Sequence, residues 1–422
     1  MVASTFPAAQ DSAQALQNVR LALRSLHPQV MTWRRQIHQH PELGFAETLT
    51  AQFIHEKLTQ WDIPHEIGIA KTGIVALVRG DRPGPVLAIR ADMDALPIHE
   101  ENDLDYKSKH PGKMHACGHD GHVAIALGTA HYLNTHRHTF SGTVKFIFQP
   151  AEEGPGGAKP MIEAGVLNNP DVDALIGLHL WQQLPIGTLG VREGALMAAV
   201  ETFDCTILGR GGHGAIPQQT IDSIVITAQI ITALQTIVAR NLDPIDSAVV
   251  TVGTFHAGTA CNVIADTAQI SGTVRYFKPQ YADYFDRRIE QIISGVCTMH
   301  GATYQLNYRK LYPPVINDST MTALVRSCAE DWAQMGVQPL QSTTLSVSQP
   351  ESVTPHCQTM GGEDISYFLN AVPGCYFFVG SSNVEKGLIF PHHHPQFNID
   401  ETALAIGMEV FVRVVERFCP IA

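Results

Sequence analysis

Apolar residues recur at helical spacing over residues 12–39, and Pro41-Glu42-Leu43-Gly44 breaks the pattern before a second helical run from Glu47 to Leu58. Short apolar runs come next at Gly73–Val78, Val86–Ile89, Val144–Phe148 and Ala174–Leu178, separated by helix-sized segments such as His122–Leu133. This alternation predicts an α/β sheet, much of it parallel. Near Ala199 the pattern changes. VETFDCTILGRGGHGA reads as a strand leaving the sheet, Ser223–Val238 as an amphipathic helix, and Ala248–Phe255 and Ala268–Phe277 as alternating strands. Such a unit is a separate small α+β domain. Leu311-Tyr312-Pro313-Pro314 supplies a hinge, after which the strand Gly374–Val379 and a helix from about Asp400 to Phe418 complete the first domain. The expected organisation is a first domain over residues 1–199 and 312–422, interrupted by an insertion over 200–311.

Composition narrows the class. At 422 residues the chain exceeds the ~250–300 at which a single core stops growing, consistent with two domains. With 45% hydrophobic and 16% charged residues it is expected to fold throughout. A formal net charge of -12 argues against nucleic acid or an anionic membrane as partner. The opening residues lack a basic start followed by an apolar run, and no stretch of 18 apolar residues occurs, so a cytoplasmic protein without membrane attachment is expected. Eight irregularly spaced cysteines read mostly as buried thiols. Histidine is the unusual count: 21, several crowded into HACGHDGH and PHHHPQF, a pattern that suggests metal.

Loops leaving the carboxyl ends of parallel strands converge on one crevice, so residues after successive strands can meet there. Asp92 and Asp94 come after Val86–Ile89, Glu152 and Glu153 after Val144–Phe148, and His179 after Ala174–Leu178. Cys117 and His119 precede a helix starting near Asp120, and His392–His394 add a fifth segment. Taken singly, each has an ordinary explanation as cap, core histidine or surface loop. Together they offer thiolate, imidazole and carboxylate to one place, a donor set suited to zinc or another first-row metal. Paired cations can acidify a water and polarise a carbonyl, and adjacent glutamates can divide the roles of ligand and free base.

The ordered segments WRRQIHQHPELGFAE, RADMDALPI, MHACGHDGH, FQPAEEGPGGA, GRGGHGAIPQQTID, GTACNVIAD, GTVR, GGEDISYF and HHPQFNIDE resemble, over nearly the whole chain, the amidohydrolase branch of the aminoacylase-type metallopeptidases. The resemblance implies a zinc-peptidase-like α/β catalytic domain with an inserted α+β lid and dimerisation domain of four strands and two helices. It implies hydrolysis of N-acyl amino acids, acetyl, benzoyl or similar, with two divalent metal ions per subunit (Zn, Mn, Co or Ni). Cys117, His119, Glu153, His179 and His393 would be ligands and Glu152 the general base and acid. Asp92 or Asp94 would orient a metal-binding residue, Asp92 being slightly favoured. His213, Asn262 and Arg275 would hold the substrate, with His213 at the developing oxyanion, and a homo-oligomer, dimer or tetramer, would form through the insertion. A dipeptidase or carboxypeptidase, or a non-catalytic binding protein that kept the metal pocket, are the rival readings. Glu152 speaks against the last, since a protein without turnover has no use for a base beside a ligand.

Overall fold

The computed structural model describes residues 13–154, 156–335 and 352–421; the remainder of the two outer segments expected for the first domain lies outside the described residues. The chain divides into two compact units, one built from Met1–Gly194, Ile316–Gln358 and Tyr367–Ala422, the other from Ala195–Val315 and Thr359–Ser366. The crossings thus fall a few residues from the expected ones. Thr359–Ser366, expected in the first domain, joins the second unit, where Thr359 N donates to Leu196 O and Ala198 N to Gly361 O at 3.0 and 2.9 Å.

The first unit opens with helix α1 (Ala13–His38), which buries Leu23, Val30, Trp33 and Ile37 along one stripe, the spacing a helix needs to face a core. Helix α2 (Thr48–Gln60) is next, then strands β1 (His65–Ile69), β2 (Gly73–Arg79) and β3 (Val86–Asp92), helix α3 (His119–Thr135), and strands β4 (Thr143–Gln149) and β5 (Ala174–Pro185). After the second unit come helix α4 (Ser319–Gln334), strand β6 (Gly374–Ser382) and helix α5 (Thr402–Phe418). The sheet runs β1-β2-β4-β3-β5-β6, extended past β6 by the short strands Leu189–Gly190 and Val353–Thr354. The pairs β4/β3, β3/β5 and β5/β6 are parallel, while β1/β2 and β2/β4 are antiparallel. Every residue of β3 is buried, as a central parallel strand covered on both faces requires. Phe146, Phe148, Phe377 and Phe378 are fully buried, each contributing about 1.5–3 kcal/mol by leaving water.

In the second unit, strands Ala248–Ala257, Thr267–Tyr276, Val200–Leu208 and Thr303–Tyr312 lie side by side in that order, all antiparallel. Val200–Leu208 alternates strictly, burying Glu201, Phe203, Cys205 and Ile207. Helices Ser223–Leu234 and Phe285–His300 supply Ile226, Ile230, Ile289 and Ile293 to the same core. The expected helix Ser223–Val238 ends earlier, giving way to a π-helical turn at Ile237–Asn241. Helix Phe285–His300 and strand Thr303–Tyr312 were not among the elements read from the sequence, although the strand alternates half-buried Tyr304, Leu306 and Tyr308 with exposed Thr303, Gln305, Asn307 and Arg309. Among the described residues no helix is long and apolar enough to cross a membrane, and the eight cysteines are free thiols.

Candidate metal centre

The sheet order makes β3 the neighbour of both β4 and β5, so the loops leaving β3 and β4 meet the side chains that β5 carries. His179 departs from expectation in one respect. It lies within β5, which continues to Pro185, paired with Phe378 of β6, so its backbone is held by the ladder rather than by a loop. Helix α3 begins at His119 itself, and the preceding Gly118, at φ 93°, takes the left-handed turn that separates Cys117 from the helix.

The ligand atoms gather in overlapping groups, each with all its atoms within 4.8 Å of one another: Cys117, His119 and His179; Cys117, Glu153 and His393; His119, Glu152 and Glu153; and Asp92, His119 and His122. Cys117 Sγ is 3.5 Å from His179 Nε2, and His393 Nε2 is 3.1 Å from Glu153 Oε1. His179 Nδ1 donates to Leu180 O at 2.9 Å, which leaves Nε2 as the lone-pair nitrogen on the side of the thiol. His119 Nδ1 likewise donates to the carbonyl of Asp94 at 2.9 Å, and its Nε2 is buried with no hydrogen-bond partner among the described residues. Of the three consecutive histidines only His393 turns to Glu153. His392 Nε2 donates to Leu180 O at 2.8 Å, and His394 stacks on Phe390. His393 holds φ 65° and its amide donates to Ala116 O, which ties this loop to the one carrying Cys117. Such a conformation costs about 1–3 kcal/mol for a residue with a side chain, a strain typical of functional loops.

The two aspartates divide the supporting work. Asp92, fully buried, accepts from Arg90 Nη1 and His122 Nδ1, each at 2.5 Å, and lies 3.8 Å from His119 Nε2. His122 Nε2 in turn accepts from Leu180 N at 2.9 Å. Asp94 orients His119 through its carbonyl, and its carboxylate accepts the amides of Glu152 and Glu153 at 3.0 and 2.9 Å. His122 went unremarked in the sequence, although it stands one helical turn after His119.

Charge balance shows what the cluster is suited to hold. Burial, together with the charges of Glu153 and Glu152, pushes the Cys117 thiol well above its usual range. His119 is raised to about 10, because the carboxylates of Asp92, Asp94 and Glu153 outweigh the burial that opposes protonation. Burial would raise Asp92, but His119, Arg90 and His122 hold it well below the usual carboxylate range. Burial pushes His179 well below the ordinary histidine value. Cys117 and His119 are therefore held toward their protonated forms and His179 toward neutrality, and a divalent ion would take the place of the two protons. Thiolate, neutral imidazole and carboxylate are transition-metal donors, and the buried, unpartnered His119 Nε2 supplies a lone pair among them.

Within the second unit, the short strand Gly212–His213 pairs with Val263–Ile264, His213 opposite Val263, so that Asn262 sits beside His213 and its carbonyl accepts from Gly214 N at 2.8 Å. Both side chains are exposed. Arg275 stands apart from that pair, one residue from the far end of strand Thr267–Tyr276, where Nη1 bonds Thr273 Oγ1 and Val274 O.

Residues 88–417 match the peptidase family M20/M25/M40. The N-acyl-L-amino acid amidohydrolase of Geobacillus stearothermophilus is 48% identical over 289 residues, 68% of this chain and 78% of that protein. Thermostable carboxypeptidase 1 of Saccharolobus solfataricus is 38% identical over 400 residues, 94% of this chain and 97% of the relative. Among solved structures, the Bacillus subtilis YXEP protein, a dinuclear metal binding peptidase from the M20 family, superposes with a TM-score of 0.77 at 36% identity, covering 93% of this chain and 98% of that one. Sequence and fold agree along almost the full length, from the catalytic sheet through the insertion to the C-terminal helix: the chain belongs to the peptidase family M20/M25/M40 and is a hydrolase acting on amides.

Proposed function

We propose that this protein releases a carboxylic acid and a free amino acid from N-acyl amino acids, with Cys117, His119, Glu153, His179 and His393 holding two divalent cations and Glu152 as general base and acid. The observation that carries the reading is the set of overlapping groups these ligands form, linked through Cys117, Glu153 and His119, whose buried Nε2 has no hydrogen-bond partner among the described residues. When bound, zinc, manganese, cobalt or nickel would acidify a water and polarise the scissile carbonyl. Glu152 takes the proton from that water and delivers it to the leaving nitrogen, a role worth about 10²–10⁴-fold in rate. Asp94 supports this by holding the amides of Glu152 and Glu153, and Asp92 by fixing His122 and the field at His119. His213 supplies a donor to the developing oxyanion, while Asn262 and, secondarily, Arg275 meet the substrate carboxylate. A homo-oligomer, dimer or tetramer, formed through the insertion and residing in the cytoplasm, accompanies this reading.

The carboxypeptidase relative supports a second reading, since an N-acyl amino acid and a peptide C-terminus present the same amide beside a free carboxylate. They differ on the acyl side. The test is amine release from N-acetyl, N-benzoyl and indole-acetyl amino acids and from dipeptides and blocked peptides, after stripping and restoring each metal. Preference for the acyl amino acids supports the first reading and preference for peptides the second. Silence under every metal overturns both.

A further inference from the structure

The segment Gly44–Glu47 contributes no candidate ligand, yet it meets the loop of Glu152 and Glu153 from behind. Glu47 is fully buried and stands at the N-cap position of α2 without making a side-chain capping bond. Capping falls instead to Glu42, whose carboxylate accepts from the amides of Leu49 and Thr50 at 3.1 and 2.9 Å and from the hydroxyls of Thr48 and Thr50. Glu47 is thereby released to reach away from its own helix. Its Oε1 accepts the amide of Ala151 at 2.8 Å, and its Oε2 accepts Thr72 Oγ1 at 2.6 Å. Ala151 holds φ 56°, a left-handed conformation that persists only where the surroundings over-determine it. The next two amides, of Glu152 and Glu153, go to Asp94. Three consecutive amides are therefore held by two buried carboxylates. Gly44 closes the other side: a Cβ on it would come within 2.9 Å of Ala151 Cβ and 3.0 Å of Ala151 Cα.

We infer that Glu47 is a positioning residue for the hydrolytic reaction. By holding the Ala151 amide it sets the backbone turn from which Glu152 and Glu153 project, so the aim of base and ligand depends on a carboxylate far away in the sequence. The inference rests on the reading of Glu152 as base and Glu153 as ligand.

The test compares Glu47→Ala, Glu47→Gln and Glu152→Gln for kcat, KM, thermal melting and zinc affinity, the last by competition with a chromophoric chelator. Glu47→Ala is expected to melt cooperatively and keep its KM, while kcat and zinc affinity fall about 10–100-fold. Glu47→Gln, whose amide oxygen still accepts from Ala151, recovers most of both. A Glu47→Ala protein with wild-type kcat and zinc affinity overturns the inference. If that variant does not fold, Thr72→Val, which removes the partner of Oε2, and Gly44→Ala, which presses on Ala151, carry the same test. A lowered kcat at unchanged KM supports the positioning role, and wild-type kinetics in both overturn it. An inactive Glu152→Gln beside an unimpaired Glu47→Ala sinks only the role of Glu47, whereas turnover by Glu152→Gln sinks the base assignment on which it rests.

Discussion

The helix network of the first unit and the four-stranded sheet of the second bury charge in different ways. In the first, Arg34 is fully enclosed, with Nε on Asp120 at 2.9 Å, Nη1 on Glu401 at 3.1 Å and Nη2 on Asn398 at 3.0 Å, while His38 spans Asp120 and Glu100 at 2.8 and 3.2 Å. This network grips the first turn of α3 immediately beside His119. In the second unit the one buried carboxylate, among the described residues of its central strand, is Glu201, satisfied by the hydroxyls of Tyr276 and Tyr308, and the ion pair Arg309–Asp204 lies exposed at 2.8 Å. The difference teaches where geometry is held rigidly. A metal centre needs ligands fixed before the cation arrives, and buried charges that leave no alternative partner provide that. Among the described residues of its own unit, no buried ion pair stands beside the His213–Val263 ladder, on which His213 and Asn262 are exposed.

The sharpest way to break the comparison is Glu152→Gln. Turnover is expected to fall about 10²–10⁴-fold while metal content, measured by atomic emission, stays at the wild-type level. Next in size, Arg34→Leu removes the guanidinium shared by Asp120 and Glu401, leaving Asp120 only His38, and is expected to cost about 3–5 kcal/mol in urea unfolding. Retained stability would mean that the network contributes nothing to holding α3. If His213 donates to the developing oxyanion as proposed, His213→Ala lowers kcat about 10²–10³-fold without changing metal affinity, and full turnover in that variant removes the role. At the small end, Arg309→Ala should change stability by less than about 1 kcal/mol, because that pair is screened by water.

The same contrast predicts opposite pH responses. Asp120 and Glu401 lie below their ordinary values: burial opposes this, but Arg34 and His38 at Asp120, and Arg35 and Arg34 at Glu401, prevail. Their contribution is present above the unfolded carboxylate value near ~4 and is lost as pH falls below it. Glu201 is raised by burial, with its two tyrosine bonds opposing, so its contribution is present at low pH and declines as pH rises through the folded value. Glu201→Gln should flatten the second trend and leave the first. Melting curves of the full chain between pH 3 and 7 would check both.

Much of this protein was legible because its chemistry lies at the ends of its strands. The runs at Val86–Ile89 and Val144–Phe148 marked where Asp92, Asp94, Glu152 and Glu153 would emerge, and the structure brings them to Cys117 and His119. Strand Thr303–Tyr312 was legible in its alternation of Tyr304, Leu306 and Tyr308 with polar residues and was passed over, whereas His122 was hidden because neither of its bonds is local in the chain.

By itself, then, the amino-acid order determined the elements, the α/β class with its inserted α+β unit, and the set of donors, since periodicity and residue type act over a few residues. Tertiary structure alone decided which atoms face one another: that His392 turns to Leu180 O and His394 stacks on Phe390, that Asp94 rather than Asp92 takes the amides of the glutamate loop, and that Glu47 leaves its own helix to hold Ala151. Those choices are made by packing and by the need of every buried polar atom for a partner, and the partners come from distant parts of the chain.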